Sequence, residues 1–474
     1  MFRSTPYSKS CPFAAIAAFV FIVILSGCGE PPKQTTSGLR KTVTSTGDTL
    51  ASRSPSDSSA NVNLTLPVLD ALFFEEGFEE DLKTTLQLTG QQIEKLKTVS
   101  HESVAELTEE GSGDYHGSAR GATMRYEEQI RGAIGDEKAG QLAQLVNHRY
   151  ASGDVEGLLP ATPNAVPTDT RIVVNTPAYR MDVFQDGKLA KSYRIGIGYP
   201  EFPLPTGMRR AETIIFNPTW TPPDEPWVKG KFKPGKKIEA GSKDNPLGSI
   251  KIPIGSPSLI HGGKAVARLG NFASHGCVGM TNDQVQDFAI SLAQLSGSAL
   301  TKEDIVNYRK QKGETKSLKL TKAVPVELRY ETIVAEDGAL RIFRDVYERG
   351  TNTLEAARRM LDIYGVSYDS LPAQEQQALA QALSDMNRDP QGKAIAEHAG
   401  GAHDTASGEL SNGGPDSGRK DGVAASKLAG ARKGKVTSTI VGRKEIAVPI
   451  ASLQGKGYPT PANLDAGGRP SGKK

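Results

Sequence analysis

The run Ala178-Tyr-Arg-Met-Asp-Val-Phe184, Gln185-Asp186-Gly187-Lys188, Leu189-Ala-Lys-Ser-Tyr-Arg-Ile195 reads as two strands joined by a tight turn. Aromatic and aliphatic residues alternate with polar ones on both sides. Asp-Gly supplies the positive-φ pair that a two-residue hairpin turn requires. Thr170-Arg-Ile-Val-Val-Asn175 lies upstream, alternating or β-branched. Ile195-Gly-Ile-Gly198 and Glu212-Thr-Ile-Ile-Phe216 extend the strand signal downstream. The pattern to about Tyr347 predicts a β-rich region with long loops and one helix near Asp283 to Leu295. A mostly antiparallel sandwich or barrel is expected.

Moving outward, Leu158 to Asp169 is proline-rich and reads as a linker. Leu64 to Tyr150 carries helical spacing. Ile93, Leu96, Val99, Val104 and Leu107 form one stripe, with Thr89 as N-cap and Gln92 three residues on. A second stretch, Met124 to Tyr150, places Ile130, Ile134, Leu142, Leu145 and Val146 at the same period, and Gly111 to Gly121 reads as a loop. Leu354 to Met386 returns to helical spacing. From Asn387 the chain is rich in Gly, Ala, Lys and Ser, which predicts a low-complexity, disordered tail. Within it, Val436 to Leu453 is a candidate short hairpin.

The totals bound the function loosely. Across 474 residues, 57 Lys and Arg face 54 Asp and Glu, a net charge of +3. That balance gives no reason for a nucleic-acid partner. Fifty glycines and 29 prolines imply long stretches outside regular structure.

Cysteine usage says more. The three cysteines are Cys11, Cys28 and Cys277. Met1 to Ser10 is basic, Phe13 to Leu25 is unbroken apolar, and Ser26-Gly27-Cys28 closes the run with small residues. This is the layout of a secretory signal, too short to span a bilayer comfortably. Leu25-Ser26-Gly27-Cys28 also resembles the lipobox of bacterial lipoproteins. That resemblance implies cleavage before Cys28, its lipidation, and a lipid anchor in the membrane on the periplasmic side of the cell envelope. Gly29, rather than Asp, follows the cysteine, which favours the outer membrane. Gly29 to about Asn61, rich in Ser, Thr and Pro, then reads as a flexible tether. With Cys28 acylated and Cys11 removed, Cys277 is the one remaining thiol, without an intramolecular disulfide partner.

The densest chemistry lies around that thiol: Ile260-His261-Gly262-Gly263, then Ser274-His275-Gly276-Cys277-Val278. A thiol near an imidazole is the minimal kit for cysteine acyl transfer. The thiolate attacks, and the imidazole takes its proton or stabilises the ion pair. The flanking glycines permit a tight turn and expose amides able to hold an oxyanion. Spacing alone does not decide between His275 and His261 as the base. Zinc is another reading, since His261, His275 and Cys277 are all competent ligands, but their spacing matches none of the common zinc patterns.

These segments resemble the signature of the L,D-transpeptidase family, the YkuD-like catalytic domain. Pro203-Leu-Pro-Thr-Gly207, Asn217-Pro-Thr-Trp220 with Pro222, and Asn245-Pro-Leu-Gly248 are similar to further family loops. Val324-Pro-Val-Glu-Leu-Arg-Tyr330, Asp337-Gly338 and Asp345-Val-Tyr347 resemble the end of the larger bacterial members. The resemblance runs from about Arg171 to Tyr347. It implies a mainly β chain whose catalytic domain is an L,D-transpeptidase-like β-sandwich, with a small N-terminal helical region and a disordered C-terminal tail. The divisions become signal peptide 1–27, tether 28–62, helical accessory region 63–157, catalytic domain 168–350, helical extension 351–386 and tail 387–474.

Carried over by position, the resemblance makes Cys277 the nucleophile and His261 the proton acceptor and donor, oriented by the carbonyl of Gly262. Ser274, His275 and Gly276 shape the turn and the oxyanion region, with the Cys277 amide contributing. The implied substrates are peptidoglycan stem peptides. The acyl group of a tetrapeptide passes through a thioester to an amine on another stem or on a wall-anchored protein. Water as acceptor would give an L,D-carboxypeptidase or amide hydrolase. No metal or organic cofactor is implied. One position departs from the pattern: Gly279 stands where the family usually has Arg or Asn. That departure leaves open a catalytically impaired, peptidoglycan-binding lipoprotein.

Overall fold

The computed structural model describes residues 64–104, 107–108, 118–151, 159–222, 228, 232–233, 235, 236–255, 258–395, 434–435 and 437–464. The signal segment 1–27 with Cys11, Cys28, the tether 28–62 and most of the loop 111–121 lie outside these residues, as does 396–433 of the tail.

Five helices come first: α1 Leu66–Phe73, α2 Phe78–Thr84, α3 Gly90–Val104, α4 Ala119–Ile134 and α5 Asp136–Ala151. A two-residue strand, β1 Leu107–Thr108, follows α3 and pairs with β14 Gly434–Lys435. The α3 start is a reciprocal cap. The Gln92 amide donates to Thr89 Oγ1 (3.3 Å), and Gln92 Oε1 accepts from the Thr89 amide (3.0 Å). The stretch from Met124 to Tyr150 is two helices, because Gly135 takes φ +84° and turns the chain between α4 and α5. Leu69, Phe78, Leu96, Ile130 and Leu142 bury the shared face completely. Thr65 caps α1 and also donates to the carbonyl of Glu201 (2.5 Å) in the β region.

The β region holds β2 Arg171–Asn175, β3 Arg180–Gln185, β4 Lys188–Arg194, β5 Ile197–Gly198, β6 Gly207–Phe216, β7 Ile250–Pro253, β8 Leu259–His261, β9 Phe272–Ser274, β10 Val278–Gly279 and β11 Lys316–Arg329. Asp186 and Gly187 join β3 to β4 with φ of +49° and +75°, the positive pair a primed turn demands. Eight strands form one sheet in the order β10-β8-β7-β6-β11-β2-β3-β4. Pairing is antiparallel except at β10–β8 and β11–β2. The sheet curls. Just past edge strand β4, Gly196 exchanges both backbone hydrogen bonds with Gly279 in the opposite edge strand β10 (2.8 and 2.9 Å). A separate parallel pair, β5–β9, lies beside this junction.

Helix α6 Asn282–Leu295 follows β10 directly. Thr281 and Gln284 close a capping box at its start, and Val285, Phe288, Ala289 and Leu292 are buried in the main core. Helix α7 Lys302–Lys310 leads into the long strand β11.

The span read as one catalytic domain to residue 350 is divided in the structure. β12 Ile333–Glu336 and β13 Ala339–Phe343 leave the main sheet and pair instead with β15 Glu445–Pro449. Helices α8 Leu354–Ile363 and α9 Ala373–Met386 pack on this three-stranded sheet around their own core, with Leu340, Ile342, Leu361 and Leu379 fully buried. The linker is pinned here rather than loose: buried Asn164 donates to the Ala335 carbonyl (2.9 Å) and to Tyr364 Oη (2.6 Å).

The tail reading is corrected in part. Residues 437–464 are built into the fold, and the described part of the 436–453 candidate, 437–453, does not form a hairpin of its own. β15 completes the β12–β13 sheet, Ile450 and Leu453 are fully buried, and Tyr458 packs edge-on against Phe184 with centroids 5.9 Å apart. Composition over the whole tail hid this short apolar run inside a Gly- and Lys-rich background. Truncating Leu453 to alanine should therefore cost about 2–5 kcal/mol of stability. The denaturation midpoint measures it, and an unchanged midpoint would return this segment to an unattached tail.

Candidate active site

The site is assembled by one parallel strand pair. β10 runs beside β8 with Val278 opposite Ile260 and Gly279 opposite His261. His261 ends β8, and Cys277 immediately precedes β10, so the register brings the segments that carry the two residues side by side, with Cys277 two positions short of the residue opposite His261. The ladder continues past the strands, since Met280 N donates to His261 O (2.8 Å) and Lys264 N to Met280 O (3.0 Å).

His261 is buried, at 3% exposure. Its Nδ1 lies 2.8 Å from the Gly262 carbonyl oxygen. A carbonyl only accepts, so Nδ1 carries the proton and Nε2 keeps its lone pair. Gly262 is required by contact. A Cβ there would sit 2.6 Å from Asn282 Oδ1 and 2.8 Å from Val285 Cγ1. Asn282 was not singled out by sequence. Its Oδ1 accepts from the amides of Ser249 (2.9 Å) and Gly263 (3.1 Å), tying the start of α6 to both loops below the histidine.

Ser274, His275, Gly276 and Cys277 form a tight turn between β9 and β10. The Ser274 hydroxyl accepts from the Cys277 amide (3.0 Å) and donates to the Cys277 carbonyl (2.5 Å), clamping the turn at both ends of one residue. Gly276 takes φ +83°, a conformation that L side chains rarely adopt. Its carbonyl accepts from Ser258 Oγ (3.0 Å). The Cys277 amide, which the family resemblance offers to an oxyanion, is thus already engaged by Ser274.

The two histidines are placed differently. His275 is held edge-on between the rings of Tyr199 (5.0 Å) and Phe202 (4.6 Å). Tyr347 anchors that loop. Its hydroxyl donates to the Gly198 carbonyl (3.0 Å) and accepts from the Leu204 amide (3.0 Å). Tyr347 is set in turn by Tyr330, whose hydroxyl accepts from the Tyr347 amide (2.7 Å) and donates to Asp345 (2.6 Å). These residues give the Asp345-Val-Tyr347 motif a mechanical role.

Burial sets the electrostatics. It pushes the Cys277 thiol above its ordinary value, while the Leu259 backbone and the Lys264 charge pull the other way. It drives both imidazoles down to about 3, and Lys264 adds to the effect on each. Burial thus works against the charged form of the thiol and of both imidazoles. Among the described residues no group of three or more His, Cys, Asp or Glu could hold a metal ion. No helix among them is long and apolar enough to cross a membrane.

Gly279 has a structural counterpart. A Cβ at this position would meet Lys264 Cγ at 2.9 Å and Cε at 3.2 Å, so the lysine stem covers the space a side chain would need.

Known proteins resemble this region. Residues 169–296 match the family model described as YkuD, L,D-transpeptidase catalytic domain. A Bacillus subtilis (strain 168) protein named "Putative L,D-transpeptidase YqjB" is 28% identical over 137 residues, which is 28% of this chain and 70% of that protein. Among solved structures, the catalytic domain of the E. faecium L,D-transpeptidase is 19% identical, covering 35% of this chain and all of that one, with a TM-score of 0.23. An L,D-transpeptidase from Mycobacterium smegmatis is 15% identical, covering 34% of this chain and 58% of that one, with a TM-score of 0.20. Over residues 169–296 this chain is similar to the YkuD family of L,D-transpeptidase catalytic domains.

Proposed function

We propose that the protein is a peptidoglycan L,D-transpeptidase that works by cysteine acyl transfer. The observation that carries this reading is the β8–β10 register. It brings the segment bearing Cys277 alongside the segment bearing His261, whose Nδ1 is turned to the Gly262 carbonyl, and this supports Nε2 as the proton acceptor. Cys277 is the nucleophile and His261 the base. His275, gripped by two aromatic rings, shapes the turn with Ser274 and Gly276.

In the first step Cys277 Sγ attacks the carbonyl of the third residue of a tetrapeptide stem, and its proton passes to His261 Nε2. The tetrahedral adduct collapses with cleavage of the C–N bond. The proton returns from His261 to the departing terminal D-Ala, leaving a thioester. In the second step an amine attacks the thioester carbonyl and gives its proton to His261. The C–S bond breaks, and the thiolate recovers that proton. The acceptor amine belongs to another stem or to a wall-anchored protein. Lipidation at Cys28 and the tether 28–62 would hold the enzyme on the periplasmic face of the outer membrane, within reach of the wall.

Incubating the full chain with a tetrapeptide donor or a carbapenem should add one acyl mass to the protein, and Cys277→Ala should remove the adduct entirely. An adduct that persists in Cys277→Ala overturns the assignment. Products released without an acceptor amine would identify water as the acceptor, and hence a carboxypeptidase.

The acid limb of activity should also be displaced. An ordinary imidazole protonates near 6.5, whereas that of His261 is driven down to about 3 by burial. The base form therefore persists as pH falls through 6.5 toward 4. The pH profile of kcat/KM should show no loss from histidine protonation between pH 7 and 5. An acid limb centred near 6.5 would show that His261 titrates normally.

A further inference from the structure

We propose that Lys264 is a positioning residue for the nucleophile: its stem lies across Gly279 and holds a positive charge beside Cys277 and the two imidazoles. The proposal rests on the acyl-transfer reading above and extends it to a residue outside the Cys–His pair.

The placement is fixed from the backbone upward. Gly263 turns the chain at φ +81° after His261 and Gly262. Lys264 is then locked by its amide onto the Met280 carbonyl (3.0 Å), one residue past Gly279. Three successive carbons of its side chain pass the place where a Cβ of residue 279 would stand, Cγ at 2.9 Å, Cδ at 3.6 Å and Cε at 3.2 Å. The stem therefore runs along the bare backbone of β10 rather than out into solvent, and Lys264 is half-buried. An alkyl stem laid on apolar surface with its ammonium kept near water is a stable arrangement for lysine. Gly279 is what permits it, because any side chain there would occupy the same space.

The consequence is electrostatic. Lys264 acts on Cys277, His261 and His275 alike, and Arg268 adds a second cation at His275. Arg268 is itself held by donating to Tyr199 Oη (2.8 Å). A lysine ammonium beside a half-buried thiol favours its thiolate, and beside an imidazole it favours the neutral base. Both effects favour a nucleophilic sulfur and a competent acceptor.

The test is the rate of Cys277 alkylation by iodoacetamide between pH 6 and 10, which needs no peptide donor. Lys264→Met keeps the length of the stem and removes the charge. It should slow alkylation at pH 7.5 by roughly three- to tenfold, as a rise in thiol pKa of half to one unit requires, and move the profile to higher pH. Lys264→Arg should recover the wild-type rate to within about twofold, which excludes a folding defect as the cause. Gly279→Ala should expel the stem and slow alkylation in the same direction. The double variant Lys264→Met/Gly279→Ala should lose no more than the larger single effect. A Lys264→Met profile that overlays the wild type, or two single effects that simply add, overturns the proposal. Lys264-dependent alkylation without any acyl adduct from a tetrapeptide would sink the transpeptidase reading and leave this one standing.

Discussion

The structure depends on the parallel pairing of β8 with β10. Gly279 pairs on one side with His261 and on the other with Gly196, beyond the far edge of the same sheet. A residue paired on both sides has little lateral room, and that junction is where the curled sheet closes on itself. The Gly196–Gly279 bridge ties the two ends of the sheet together at one residue pair. It also fixes the turn 274–277 at the seam, held by the Ser274 hydroxyl within and by Ser258 on Gly276 from outside. The turn that carries Cys277 is thus built into the junction between the two ends of the sheet.

Much of this was legible in the residues. The Asp186-Gly187 hairpin, the capped α3 and the helix after Cys277 all follow from local propensity and period, and all form. The Cys–His grouping was visible because glycines crowd around two histidines and one thiol. Local reasoning stalled on which histidine serves as base. That depends on tertiary environment: His275 faces Tyr199 and Phe202, while His261 faces the Gly262 carbonyl. Asn282 escaped notice because a helix-starting asparagine reads as a cap, whereas here its side chain serves two distant backbone amides.

The C-terminal part was harder to read for a related reason. β15 is five residues in a background of Gly, Ala and Lys, and it has no partner close in sequence. Its partner β13 lies about a hundred residues upstream, and only that pairing makes its burial favourable. The polar seam where this unit meets the main sheet explains its attachment. Arg180 donates to Asp182 (2.8 Å), to Glu336 (2.5 Å) and to the Pro459 carbonyl (2.8 Å), joining β3, β12 and the returning tail. Removing one partner from such a buried charged group leaves the others unpaired, so the tail segment and the main sheet depend on one another.

Burial opposes both members of the ion pair that cysteine enzymes commonly hold at rest. It raises the thiol and lowers the imidazole, so a charged pair there has to rely on the attraction between its own members and, for the thiolate, on Lys264. In acyl transfer at such a site, negative charge passes from sulfur to the carbonyl oxygen under attack. The Cys277 amide is already donated to Ser274, so stabilising that oxygen requires Ser274 to share or release it. A seryl hydroxyl can do this at low cost, because it keeps its own bond to the Cys277 carbonyl while the amide turns to a stronger, charged acceptor. The clamp that holds the turn before reaction is thus also the group that could yield a donor during it.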